Sequence, residues 1–128
     1  MNINMINGLP VVSLKLTYGE NVHVLERVLL DTGCSTTIFD TDAVQPIGLY
    51  IDFIQGQSVR MYGVGGQSEL CYQQPVSGLY IDDLKLEEFT IQLGITRDTY
   101  GFDAILGVDI LLHYGMVIDF KNLKVLKQ

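Results

Sequence analysis

In the stretch RVLLDTGCSTTIFD, Arg27 to Asp40, an ionisable carboxylate follows an apolar run and is followed at once by Thr32, Gly33, Cys34 and Ser35. Burying an unpaired carboxylate is expensive, and such a group shifts its pKa or acquires partners. Asp31 is therefore either the opening of an ordinary turn or a carboxylate kept for proton chemistry. The Asp-Thr-Gly tripeptide alone does not choose between them, because Gly33 also supplies the backbone freedom that a β-turn uses.

Two further stretches bear on that choice. VRMYGVGGQSEL, Val59 to Leu70, sets Gly63, Gly65 and Gly66 at the tip of an otherwise strand-like hairpin. A purely structural hairpin has little use for so many glycines, whereas a moving tip or a close backbone approach to a ligand does. In FDAILGVDILLHYGMVIDF, Phe102 to Phe120, the apolar pair Ile105-Leu106 meets Gly107 and leads into a short helix and then a strand.

Taken in order, VLLDTGCST, MYGVGG and AILGVDILLHYGMVIDF resemble the retropepsin-like aspartic proteases, the retroviral and retrotransposon enzymes and their cellular and bacterial relatives. The resemblance runs from Leu9 to Leu126. It implies an all-β, closed retropepsin-like barrel with one short C-terminal helix, in which Ile105, Leu106 and Gly107 brace the DTG loop. It also implies half an active site per chain. Asp98 to Tyr100 lacks the glycine and the apolar lead-in of a second motif, so the second carboxylate comes from a second copy about a C2 axis.

The resemblance assigns Asp31, Thr32 and Gly33 to catalysis in a homodimeric aspartic endopeptidase. Ser35, Tyr62, Gly63, Val64, Gly65 and Gly66 become contacts to a peptide or protein substrate, the last five on a flap. Cys34 departs from the family, where many relatives have Ala or Ser. A hydroxyl there can donate to the carboxylate and lower its pKa, whereas a thiol donates weakly. A pH optimum nearer neutral than that of the acid proteases is expected. The competing reading is a non-catalytic dimerisation or peptide-binding module on the same fold.

The elements that must hold these residues read as short strands broken by turn residues at intervals of roughly 8–12 positions. Strands are expected at Val11 to Tyr18, Val22 to Leu30, Thr36 to Phe39, Ser58 to Tyr62, Gln67 to Tyr72 and Val76 to Ile81. Further strands are expected at Leu84 to Leu93, with a break near Glu87-Glu88, and at Ala104 to Leu106, Met116 to Phe120 and Leu123 to Leu126. One helix is expected over Val108 to Gly115, with Asp109 in its first turn and Gly115 at its end. Asp40 to Gly48 has the residues for a single helical turn capped by Asp40 or Thr41 and stopped by Pro46.

Bulk properties agree with one domain, residues 1–128. A chain of 128 residues with 48% hydrophobic content can build a core without staples. A net charge of −7 with no basic run argues against a nucleic-acid partner. No stretch approaches the roughly 18 apolar residues of a membrane span. MNINMINGLPVV has no basic and apolar regions of a signal peptide. Cys34 and Cys71 make no disulfide framework, so a cytoplasmic, reducing location is expected.

The remaining reactive residues read as structural. Cys34 and Cys71 are expected as reduced thiols rather than a redox pair. His23 and His113 stand apart from any cluster at metal-ligand spacing, so no metal and no cofactor is expected. Ser35 lies in GCS, which is not the G-x-S-x-G elbow of a serine hydrolase.

Overall fold

Turn chemistry sets the first elements. In the computed structural model, which describes residues 1–62 and 68–127, Asn7 and Gly8 take φ of 51° and 79°. Positive φ at both central positions is what a two-residue type I′ hairpin requires. It joins β1 (Asn4–Ile6) to β2 (Leu9–Tyr18), with Ile6 opposite Leu9. A second hairpin, with Tyr18 opposite Asn21, returns the chain as β3 (Asn21–Leu30).

The β2–β3 ladder explains how β3 keeps its apolar side chains inward. Its register shifts between Val12 and Leu14 on β2, where two residues of β3 answer one. That bulge falls at Glu26 and Arg27, two exposed residues in a row. Leu25, Val28 and Leu30 therefore all face the core with Leu14 and Leu16.

After the DTG segment come β4 (Ile38–Asp40), α1 (Thr41–Val44) and a 3-10 turn at Gln45–Ile47 that contains Pro46. Asp40 is 2% exposed and caps α1 by accepting from the amides of Asp42 and Ala43 at 3.1 and 3.2 Å. Its other oxygen accepts from the amides of Thr96 and Arg97, both at 2.9 Å. A buried carboxylate is tolerable here because backbone donors surround it. Gly48, at φ 88°, ends the turn.

The next hairpin is β5 (Gln57–Tyr62) against β6 (Ser68–Val76), followed by β7 (Leu79–Ile81), β8 (Leu84–Leu86) and β9 (Phe89–Gly94). The chain closes with α2 (Arg97–Tyr100), β10 (Ala104–Leu106), α3 (Val108–His113), β11 (Met116–Asp119) and β12 (Lys124–Lys127). Hydrogen bonding orders the main sheet β5-β6-β9-β4-β10-β3-β2-β7-β8, with β1 on β2, while β11 and β12 form a second sheet. Residues 1–3 lie along β12, Ile3 donating to Leu123 at 2.8 Å and Val125 to Met1 at 2.9 Å. No described helix is long and apolar enough to cross a membrane.

Mostly β architecture matches expectation, and three details correct it. Among the described residues the sheet is an open path ending at β5 and β8, where a closed barrel was expected. β5 pairs with β6 and β8 with β7, and no ladder among the described residues joins the two ends. The turn expected in Asp40 to Gly48 forms as α1 with Asp40 as its cap, while α2 was not expected; the buried Asp40 carboxylate holds both. The expected strand Val76 to Ile81 divides because Gly78 takes φ 81° between β6 and β7. Glu88, at φ 49°, marks the expected break between β8 and β9.

Candidate active site

β10 positions the loop that carries Asp31. It pairs in parallel with β3, setting Leu106 opposite Leu30, and antiparallel with β4, setting Ala104 opposite Phe39. The strand before the DTG segment and the strand after it thus flank one three-residue strand. Ala104, Ile105 and Leu106 are all buried, as a strand covered on both faces must be.

The same junction holds the loop itself. The Asp31 amide donates to the Leu106 carbonyl at 3.0 Å, continuing the ladder one residue past β3. Gly107 precedes α3, whose first amides need acceptors, and no side chain caps it. The loop supplies them: Val108 donates to the Cys34 carbonyl at 2.8 Å and Asp109 to that of Ser35 at 3.2 Å. Close approach is possible because Gly107 has no Cβ; one would stand 2.6 Å from the Cys34 oxygen.

Within the loop, Asp31 is half-buried while Thr32, Gly33 and Ser35 are exposed. The Gly33 amide donates to Asp31 Oδ1 at 2.9 Å, and the Cys34 amide to the Asp31 carbonyl at 3.2 Å. The Asp31 carboxylate therefore stands at a strand end, aimed by its own turn and open to a second group. Cys34 Sγ donates to the Thr36 carbonyl at 2.9 Å, so its hydrogen is directed away from Asp31. Burial pushes the Cys34 thiol above its ordinary value; the Thr36 contact opposes this, and the Asp31 and Asp109 charges add to it.

The fold brings Asp31, Thr32 and Gly33 together with Ile105, Leu106 and Gly107. Ser35 reaches the same junction through its backbone carbonyl, and its side chain is exposed. Tyr62 ends β5, 72% exposed and opposite Ser68. Gly63, Val64, Gly65 and Gly66 lie outside the described residues. The hairpin reaches the DTG region through β9, which pairs with β6 and, in parallel, with β4.

Sequence reasoning passed over two residues of this site. Thr37 is 1% exposed and donates through N and Oγ1 to Asp109 Oδ1, at 2.9 and 2.7 Å, while its Oγ1 accepts from the Gly107 amide at 2.9 Å. Asp109 had been legible only as a first-turn helix charge. Among the described residues no group of three or more His, Cys, Asp or Glu side chains could hold a metal ion. His113 instead packs edge-on to Phe89 and Tyr114.

No protein-family model matches the chain, and no curated protein matches its sequence. Solved structures do. The retroviral protease-like domain of Ddi1 from Leishmania major superposes with a TM-score of 0.61 at 16% identity, over 92% of this chain and 88% of that one. A retropepsin-like aspartic protease from Rickettsia conorii gives 0.59 at 16% identity, over 93% and 84%. The EIAV protease, in complex with an inhibitor, gives 0.54 at 20% identity, over 86% and 91%. The fold is retropepsin-like.

Proposed function

We propose that the chain is a homodimeric aspartic endopeptidase whose active site takes one Asp31 from each of two copies. The observation that carries this reading is the Asp31 loop. A half-buried carboxylate is held at a strand end by the Gly33 amide, and a strand and a helix from the far end of the chain clamp its loop. A simple turn needs no such clamp.

Two carboxylates brought side by side cannot both ionise comfortably and share one proton, the established pattern of aspartic proteases. The charged member takes a proton from water as that water attacks the peptide carbonyl, and the protonated member donates to the carbonyl oxygen. The two apparent pKa values belong to the pair. Thr32, exposed beside Asp31, takes the cross-axis hydrogen bond, and the Gly33 amide is the fixed donor. The β5–β6 hairpin folds over an extended substrate, which binds by strand addition with alternate side chains in pockets. Two free thiols, Cys34 and Cys71, fit a reducing, cytoplasmic setting.

The test is cleavage of a peptide library by wild type and Asp31→Asn, with mass in solution measured in parallel. Wild type is expected to be dimeric and active, and Asp31→Asn dimeric and inactive. A strict monomer overturns the reading. A dimer that cleaves nothing at any pH, and binds peptides equally well as Asp31→Asn, makes it a non-catalytic module.

A further inference from the structure

We propose that Asp109 is a positioning residue for the Asp31 loop, acting through Thr37 as a hydrogen-bond acceptor and not through its charge. The consequence for turnover rests on the protease reading above; the consequence for loop order does not.

The loop is pinned at two ends. At its start the Asp31 amide is bound to Leu106 of β10. At its far end Thr37 is bound to Asp109, 72 residues away in sequence. A Thr hydroxyl has one hydrogen, and here it goes to Asp109 Oδ1 while the oxygen accepts from Gly107. The relay from the Gly107 amide through Thr37 to Asp109 therefore has one direction, and it ties the β10–α3 junction, the end of the loop and the first turn of α3 together. The Ile110 amide donates to the same Asp109 oxygen at 2.8 Å, which holds the carboxylate in the place where Thr37 meets it.

An acidic residue in a first helical turn ordinarily complements the helix dipole and points at its own amides. Here the first amides of α3 are spent on the Cys34 and Ser35 carbonyls. The carboxylate takes the Ile110 amide of its own turn and also reaches across the junction to a buried threonine. All three donors converge on one oxygen, and asparagine also offers one such oxygen. Removing the acceptor leaves the Thr37 amide and hydroxyl without it in a buried place, and they can be satisfied again only if the loop shifts. A small shift of the segment that presents Asp31 is a shift of the reacting group.

The experiment compares Asp109→Ala, Asp109→Asn, Thr37→Val and Thr37→Ser in the full chain. It measures kcat and KM on a cleavable peptide well below each Tm, and amide hydrogen exchange of residues 32–37 against β2–β3. Asp109→Ala and Thr37→Val are expected to lower kcat by about 10–100-fold with KM within about threefold. Asp109→Asn and Thr37→Ser should stay within about threefold of wild type, as the retained acceptor and hydroxyl predict. Loop amides should exchange faster in the two damaging variants while β2–β3 protection is unchanged.

A fall in Tm with kcat and loop exchange intact overturns the proposal. So does an Asp109→Asn as damaging as Asp109→Ala. Should Asp109→Ala fail to fold, the Thr37→Val and Thr37→Ser pair decides by the same readouts. Should wild type cleave nothing, the protease reading falls, and loop exchange alone upholds or overturns the positioning role.

Discussion

A Cβ on Gly107 would stand 2.6 Å from the carbonyl oxygen of Cys34, so the β10–α3 junction and the Asp31 loop meet backbone to backbone. The next nearest atoms, the Thr36 carbonyl carbon at 3.0 Å and the Thr37 nitrogen at 3.2 Å, are also backbone. No flexible side chain can move aside. Gly107→Ala is therefore expected to cost about 1–3 kcal/mol, the range for overpacking, read as a lower urea midpoint at unchanged m. Activity should fall further than stability, because the displaced atoms belong to the loop that carries Asp31. Unchanged stability and unchanged turnover would show that the junction is looser than the geometry says.

Stoichiometry has its own test. When wild type and Asp31→Asn are mixed in equal amounts and allowed to exchange, random pairing leaves about a quarter of the dimers with two intact carboxylates. Activity per total protein should fall to about a quarter of the pure wild-type value, against about a half if each chain worked alone. The measurement is an initial rate after co-refolding, and a linear dilution would refute a shared site.

Cys34→Ser probes the acid limb of the pH–rate profile. The thiol donates to the Thr36 carbonyl at 2.9 Å and not to Asp31. A serine hydroxyl is the stronger donor and rotates freely, and once turned from Thr36 to the carboxylate it favours the ionised form. The acid limb of kcat/KM is expected to move to lower pH in Cys34→Ser. Wild type should have its maximum nearer neutral, and a maximum at or below pH 4 would contradict this.

Cys71 links stability to alkaline pH. It is 2% exposed, and its thiol is pushed from 9.0 up to about 11, first by burial, then by the Glu69 charge and Cys34. Below pH 9 the thiol is protonated folded or unfolded, and its burial stabilises in full. Between pH 9 and 11 the unfolded chain releases its proton first, so folding stability falls as pH rises through that window. Tm measured from pH 8 to 11 should drop more steeply in wild type than in Cys71→Ala; parallel slopes would assign the loss to other groups.

Legibility from sequence followed locality. The break at Glu87-Glu88, the α3 helix and the β11–β12 hairpin were all readable, because each rests on turn residues or periodicity within a few positions. The Asn7-Gly8 hairpin carried an equally local signal, since both residues take positive φ, yet β1 was passed over. Helix α2 carried less signal. It has four residues, and the acceptor for its leading amides is Asp40, 56 and 57 positions upstream.

By itself the sequence determined which residue types stand in which order: a carboxylate followed by Thr32 and Gly33, a glycine-rich stretch, and an apolar pair before Gly107. Those are properties of residue type and short spacing, and they survive without coordinates. Only the tertiary structure decided what holds the carboxylate. β10 enters between β3 and β4, and Thr37 meets Asp109 across 72 positions. Such pairings are chosen by the burial and hydrogen-bond satisfaction of the whole sheet, a condition that no short window of residues contains.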